Sequence, residues 1–176
     1  MRRIAATIFT LGVLLSMTAA TAAATPAFAA GRGDGWVFQD FGPGFTTTNC
    51  GFLIVATQDV DKVFGMMAVA PDGSSVLKLT GHAVITWTNP ANGKSVTTNT
   101  SGPGTITTSA DGSTLTFDNH GPTPLDLSAH DAAVLGVPRV FVFTGHGTAT
   151  VDAATGEVIS GSIHGQIHVD LCTALS

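Results

Sequence analysis

The sequence predicts an all-β protein, an antiparallel meander of about eight strands that closes into a small barrel with one short helix or plug segment. Residues 76–101 predict a long hairpin, because apolar side chains from Leu77 to Trp87 alternate with polar ones. The later strand-like stretches are separated by short turn sequences rich in Gly, Pro and Asp. Charged residues make up 11% of the chain, against about 25% in ordinary globular domains, which favours β-structure and turns.

The first 29 residues are interpreted as a secretory signal peptide. Arg2 and Arg3 precede an apolar run over 4–17, and 27–29 (AFA) is a small-x-small cleavage pattern. A membrane anchor is the alternative, but the apolar part is short and diluted by Thr and Ala. The sequence therefore predicts a secreted, extracellular protein with no membrane span in the mature chain.

The mature chain is expected to be acidic. Loss of the two arginines leaves 5 basic against 12 acidic residues, so the net charge moves from −5 to −7. The remaining Lys and Arg residues are scattered along the chain, whereas a phosphate-binding surface needs them clustered. Nucleic acid is not an expected partner.

Two segments are expected after the signal peptide. Residues 30–49 are a glycine- and aromatic-rich N-terminal arm whose rings pack on the barrel, with a carbohydrate-stacking strip as the alternative. Residues 50–176 are expected to form a single β-barrel domain. Cys50 and Cys172 lie at its two ends, and a disulfide between them is the default in an exported protein. Closure of an antiparallel meander would bring them together.

The strand positions follow from the apolar pattern. In the long hairpin, pairing Trp87 with Val96 leaves residues 90–93 as a four-residue loop closed by Asn89 and Lys94. A tight turn is expected between Asp59 and Asp61. The other strands are predicted at 51–57, 63–70, 105–109, 114–119, 140–151 and 158–171.

One stretch, 119–138, breaks the strand pattern. It begins with two prolines in an expected loop, and Ser128 then suits the N-cap of a short helix over 128–135 that Gly136 ends. A segment of this length between strands is expected to fold over one end of the barrel. It is either a lid on a pocket or a plug for the core.

The order of motifs resembles that of small exported β-proteins of Streptomyces and related actinobacteria, over roughly residues 50–176. The motifs are Cys-Gly, Trp-Thr-Asn-Pro-Ala-Asn-Gly-Lys-Ser, Asn-Thr-Ser-Gly-Pro-Gly-Thr, Asp-Gly-Ser, Phe-Thr-Gly and a closing Asp-Leu-Cys. The resemblance implies secretion, a β-fold and the disulfide, and it assigns no functional residue. One departure is His146, which stands where the group often carries an arginine.

Histidine is the residue type best suited to a site. The apolar residues of the last two strands are odd-numbered, so His146, His164 and His168 share the polar face and are the candidate binding residues. A three-residue loop over 154–156, closed by Ala153 and Glu157, would set His146 opposite His164. Such faces are commoner without metal, so no metal or cofactor is predicted. The other histidines are His82, His120 and His130.

Catalytic signatures are scarce. Neither Gly-x-Ser-x-Gly nor a phosphate-cradling glycine motif occurs in the sequence. The acid–base groupings are Asp118 with His120, and Asp131 with His130 and Arg139. The sequence favours a binding module for a small apolar ligand. The alternatives are a structural or surface-interaction protein and, by analogy of architecture, an isomerase resembling the allene oxide cyclase type. Enzymatic activity and oligomeric state stay open.

Overall fold

The computed structural model describes residues 35–176, which form one antiparallel sheet of nine strands and two short helices. The all-β antiparallel prediction is confirmed. The predicted signal peptide at 1–29 and the start of the arm lie outside the described residues. The elements are β1 Val37–Phe38, β2 Gly44–Thr47, β3 Ile54–Val69, β4 Ser75–Thr88, β5 Ser95–Asn99, β6 Gly104–Thr108, β7 Thr114–Asp126, α1 Ala129–Leu135, β8 Val140–Asp152, β9 Val158–Asp170 and α2 Leu171–Ala174.

The sheet is open, so the prediction of a closed barrel is wrong. The strand order is β1-β3-β4-β6-β7-β8-β9, with β2 beside β3 and β5 beside β4, and no strand of the described chain pairs with the outer edge of β9. After Asp170 the chain turns into α2. The Asp170 carboxylate caps this helix by accepting from the Thr173 amide, so the extended backbone that could pair with another strand ends there. Side chains join the two ends instead: Ile54, Trp87, Val142 and Leu171 share one buried cluster.

The predicted disulfide is confirmed. Cys50 precedes β3 and Cys172 lies in α2, and their Cα atoms are 5.1 Å apart although 122 positions separate them in the chain. A loop of this length stabilises a fold by roughly 4 to 5 kcal/mol in the chain-entropy model. The disulfide therefore connects the beginning and the end of an open sheet that backbone hydrogen bonds do not close.

The turn predicted between Asp59 and Asp61 is wrong, because β3 runs through both residues as one long strand. The pairing of β3 with β4 shifts by one residue between Gln58 and Val60, which marks a β-bulge at this point. The Asp59 carboxylate accepts a hydrogen bond from the Thr86 hydroxyl on β4. The acidic side chains thus bind neighbouring segments of the sheet instead of ending a strand.

The predicted hairpin loop is confirmed. Trp87 pairs with Val96, and the Asn89 amide donates to the Lys94 carbonyl at 2.9 Å. Gly93 has a φ of 74°, the left-handed conformation expected at the end of such a loop. Only the second half of β4 pairs with β5, however, since its first half pairs with β6.

The prediction for 119–138 is half right. The helix is confirmed, with Ser128 accepting from the Asp131 amide and Gly136 in the left-handed conformation at the C-cap. The loop before it is wrong, because β7 extends to Asp126 and pairs with β8 along its whole length. Its pairing with β6 ends at Asn119, so the prolines beyond that residue remove no hydrogen bond from a second ladder.

Helix α1 is a plug, not a lid. Its Ala132 and Leu135 pack with Leu125, Phe141 and Phe143 of the neighbouring strands. The space that remains under the helix is about 20 Å³, which is room for about one water molecule.

The predicted register of β8 and β9 is confirmed, but the predicted loop is wrong. The loop has four residues, with the Asp152 amide donating to Glu157, and Ile159 then forms a bulge. A four-residue loop plus a one-residue bulge shifts the register by the same amount as the predicted three-residue loop. Ile159 and Ile167 are 55% and 46% exposed and do not face the core as expected, because β9 is the last strand of the path.

The aromatic arm extends the sheet. Strands β1 and β2 both pair with β3, and the Phe45 ring contacts Trp87 edge-on with centroids 5.6 Å apart. Phe38 contacts Phe64 in the same way at 6.0 Å. These contacts support core packing for the arm. Neither helix among residues 35–176 is long and apolar enough to cross a membrane.

Candidate metal-binding site

Three histidines occupy one row across three neighbouring strands. His120 on β7 pairs with His146 on β8, and His146 pairs with His164 on β9. Directly paired residues of antiparallel strands project from the same face, so the three imidazoles share one side of the sheet. The predicted juxtaposition of His146 and His164 is confirmed. His120 was not expected in this row, because the prolines that follow it had suggested a loop.

Asp118 completes the group around two of these rings. It precedes His120 by two residues on β7, and alternation in a strand puts both side chains on the same face. Its Oδ1 atom lies 3.0 Å from His120 Nε2 and 3.1 Å from His146 Nε2. The two imidazole rings are stacked, with centroids 4.3 Å apart and planes 8° from parallel. One carboxylate oxygen therefore faces two imidazole nitrogens.

A hydrogen bond links His146 Nε2 and the Asp118 carboxylate, and the same atoms could bind a metal ion. An ionised carboxylate can only accept a hydrogen bond, so the contact with an ionised Asp118 requires the tautomer with the hydrogen on His146 Nε2. A metal ion would take the place of that hydrogen. All three potential ligand atoms lie within 4.8 Å of one another, and tetrahedral zinc sites have ligand atoms about 3.3 Å apart, given bonds of about 2.0 to 2.2 Å. Binding of an ion would require the stacked rings to rotate about their side-chain torsions so that both nitrogens point at it.

The site is open to solvent. The side chains of His120, Asp118 and His146 are 56%, 44% and 42% exposed. An ion bound here would keep water in its remaining coordination positions unless another side chain replaced it. Exposure of this extent also leaves the site without walls that could exclude water from a reaction.

Glycines form the next row of the sheet. Gly121 pairs with Gly145, and Gly145 pairs with Gly165. A Cβ atom on Gly145 would be 2.1 Å from the His164 carbonyl oxygen, and one on Gly165 would be 2.2 Å from the Thr144 carbonyl oxygen. Only glycine allows β8 and β9 to approach this closely. The histidines thus lie beside a close backbone contact between these strands.

The pockets are small. Apart from the space under α1, a groove of about 30 Å³ touches His120, and half of its lining residues are glycine or proline. A drug-sized ligand occupies several hundred Å³. The predicted small apolar ligand finds no matching cavity in either of these pockets of the described chain.

The remaining predicted residues are dispersed. His168 is exposed and lies at a bulge in β9, where the register shifts between Val142 and Phe143. His82 Nδ1 is hydrogen-bonded with Ser101 Oγ at 2.8 Å. The acid–base grouping around Asp131 is not supported, because its two oxygens accept from Ser128 Oγ and the Val158 amide. Asp131 is buried and connects α1 to the start of β9.

A second buried carboxylate, Asp126, was not singled out by the sequence. It is 2% exposed and its Oδ1 accepts from Thr47 Oγ1 at 3.0 Å and Asn49 Nδ2 at 2.8 Å. Burial raises its pKa above the ordinary value, and the two hydrogen bonds and the Arg139 charge oppose that shift. A signal was available, since Asp126 lies between Leu125 and Leu127 in an apolar stretch.

The sequence and structure were also compared with known proteins. No protein-family model matches the chain, and neither the curated proteins nor the solved structures contain a match. The resemblance to exported actinobacterial proteins therefore stays a prediction.

Proposed function

We propose that the protein is an exported binding module that holds a divalent transition-metal ion at Asp118, His120 and His146. The observation that supports this most directly is the approach of both Nε2 atoms to one Asp118 oxygen, at 3.0 and 3.1 Å. Two nitrogens and one oxygen facing a common point are the donor set of many protein metal sites.

The donor types select the metal. Imidazole nitrogen suits zinc, copper and nickel, whereas calcium and magnesium prefer sites made only of oxygen. A single carboxylate and two imidazoles therefore favour zinc or copper over the alkaline-earth ions. The exposed position allows the ion to enter and leave without a conformational opening.

Binding is preferred over catalysis because of the surroundings. The three side chains are each more than 40% exposed, and the groove beside His120 has a volume of about 30 Å³. Active sites usually enclose the substrate and exclude water around the reacting atoms. The Asp118–His146 hydrogen bond could orient a general base, but its side chains are too exposed to enclose a substrate.

A purely solvated polar face is the other alternative. Elsewhere on the sheet, neighbouring strands are joined by neutral hydroxyl pairs, such as Thr116 with Thr150 and Thr86 with Thr97. Stacking two imidazoles against one carboxylate is different from this pattern. It places three metal-binding groups together at a position where a pair of hydroxyls would be enough to form a hydrogen bond between the strands.

Export is part of the proposal. The N-terminal segment has the composition of a signal peptide, and the Cys50–Cys172 disulfide is typical of proteins that fold in an oxidising compartment. The protein would then meet metal ions outside the cell that made it.

Isothermal titration calorimetry of the purified protein with zinc, copper(II) and calcium chlorides tests the proposal. We expect one zinc or copper ion per chain and no calcium binding. The variants His120→Ala and His146→Ala should lose the tight site, while the control His168→Ala, an exposed histidine of β9, should keep it. Zinc binding that is absent, or equal in all four proteins, would refute the proposal.

A further inference from the structure

We propose that His164 is a third imidazole ligand of the same ion, so that the site joins β7, β8 and the outer strand β9. This inference rests on the proposed function and extends it to a four-ligand centre. His164 lies outside the group formed by Asp118, His120 and His146, and its place follows from the register of β9.

The register puts His164 within reach. It pairs directly with His146, on the side of β8 opposite to His120. Directly paired residues of an antiparallel sheet have Cβ atoms about 4.5 to 5.5 Å apart. A change in the side-chain torsions of His164 can therefore bring one of its imidazole nitrogens next to an ion that His146 binds. The backbone does not need to move.

The adjoining glycines keep the two strands in this position. Gly145 and Gly165 have φ angles of 153° and 151°, which other residues rarely adopt, and they pair in the row beside the histidines. A Cβ at either position would collide with backbone of the opposite strand. The backbone on one side of the His146–His164 pair is therefore fixed by a contact that only glycine permits.

The His164 ring is available for a ligand. Among residues 35–176 it takes part in no hydrogen bond or ion pair, and the residue is exposed. Its same-face neighbours along β9 are Ser162 and Gln166, and Ser162 is already hydrogen-bonded with Thr148.

Four ligands would change the chemistry of the site. With Asp118, His120 and His146 alone, water must fill the fourth position of a tetrahedral ion. Adding His164 gives three nitrogens and one oxygen, which strengthens the preference for copper(II) and zinc over harder ions. The ion would also bridge three strands, and it would hold the outer strand β9 to the two strands inside it.

Electron paramagnetic resonance of the copper(II) complex tests the inference by counting the nitrogens coupled to the ion. We expect three in the wild-type protein and in His168→Ala, and two in His164→Ala. Zinc affinity in His164→Ala should fall by roughly 10- to 100-fold or more, since losing a ligand costs at least as much as losing an outer hydrogen-bond partner. Melting temperatures without metal show whether each variant is folded.

A second measurement addresses the strand. Amide hydrogen exchange in β9 should slow when zinc is added to the wild-type protein and to His168→Ala, and it should not change in His164→Ala. Two coupled nitrogens in the wild-type copper complex, with unchanged affinity in His164→Ala, would overturn the role of His164 and leave the proposed function intact. Failure of the wild-type protein to bind either metal would refute the proposed function itself.

Discussion

Two carboxylates of the same strand, Asp118 and Asp126, lie eight residues apart on β7 and have opposite surroundings. Asp126 is 2% exposed and accepts hydrogen bonds from Thr47 and Asn49, which precede β3. The Asp118 side chain is 44% exposed and faces two imidazoles on the same sheet. Asp126 thus links segments that are far apart in the chain, whereas Asp118 contacts two groups that can themselves bind an ion.

Burial gives the two carboxylates of this strand different roles, one structural and one suited to binding an ion. At the Asp126 end, β7 lies beside α1 and next to segments that the disulfide ties together, so its polar atoms have protein partners. Near Asp118 the strands are open to solvent, and its partners are two titratable rings instead of amides and hydroxyls. Removing each carboxylate should therefore have very different consequences.

The largest effect is expected for Asp126→Ala. It leaves the buried Thr47 hydroxyl and the Asn49 side-chain amide without their acceptor, and an unsatisfied buried donor costs about 1 to 3 kcal/mol. We expect the free energy of unfolding to fall by about 2 to 3 kcal/mol in urea denaturation at neutral pH. A loss below about 0.5 kcal/mol would mean that Asp126 does not organise this end of the sheet.

The variant Asp126→Asn separates the hydrogen bonds from the charge. An amide oxygen can accept from the same donors, but it does not titrate. Because burial raises the Asp126 pKa, the folded wild-type protein holds this proton more tightly than the unfolded chain. Its contribution to stability is complete below the ordinary aspartate pKa of 3.8 and is lost as the pH rises through the raised pKa.

Urea denaturation of both proteins from pH 3 to pH 8 measures this difference. Asp126→Asn should gain stability relative to the wild type as the pH rises through that window, and the difference should be constant above it. Asp72, Asp111 and Asp152 have lowered pKa values, that of Asp111 about 2, because turn amides and hydroxyls donate to them. They are present in both proteins, so their opposite pH dependence cancels. A difference that does not vary with pH would contradict the raised pKa.

The smallest effect on stability is expected for Asp118→Ala. Without metal, the free energy of unfolding should change by no more than about 0.5 kcal/mol, as for most exposed sites. With excess zinc the wild-type protein should be stabilised by roughly 2.7 kcal/mol at a free concentration of 100 times the dissociation constant, and Asp118→Ala should lose most of that gain.

Asp59→Ala is the matched control, because Asp59 is also exposed and accepts from a hydroxyl on the next strand. It should keep the full response to zinc. Equal zinc responses in thermal unfolding for Asp59→Ala and Asp118→Ala would show that Asp118 is no ligand.

The sequence predicted the His146–His164 pair but not the group around Asp118. The pair follows from the alternation of apolar residues, because the four-residue loop and the bulge at Ile159 together give the register that the predicted three-residue loop would have given. Asp118 and His120 are near each other in the sequence, yet their meeting with His146 depends on β7 continuing beyond its predicted end at Asn119 and pairing with β8. That continuation is possible because β6 no longer pairs with β7 beyond Asn119, which is a property of the sheet and not of the local sequence.

By itself the sequence determined the local features of this protein. Alternating apolar residues specify strands, and Ser128 and Gly136 specify the ends of α1, because hydrogen bonds and backbone conformations within a few residues decide them. The hairpin loop that ends at Gly93 belongs to the same class.

Tertiary structure alone decided that the sheet stays open and that its ends meet through Trp87, Leu171 and the disulfide. It also decided which groups bind the buried Asp126, and it brought Asp118 to two imidazoles. These outcomes depend on contacts between residues far apart in the chain, whose relative positions are set by the packing of all the strands together.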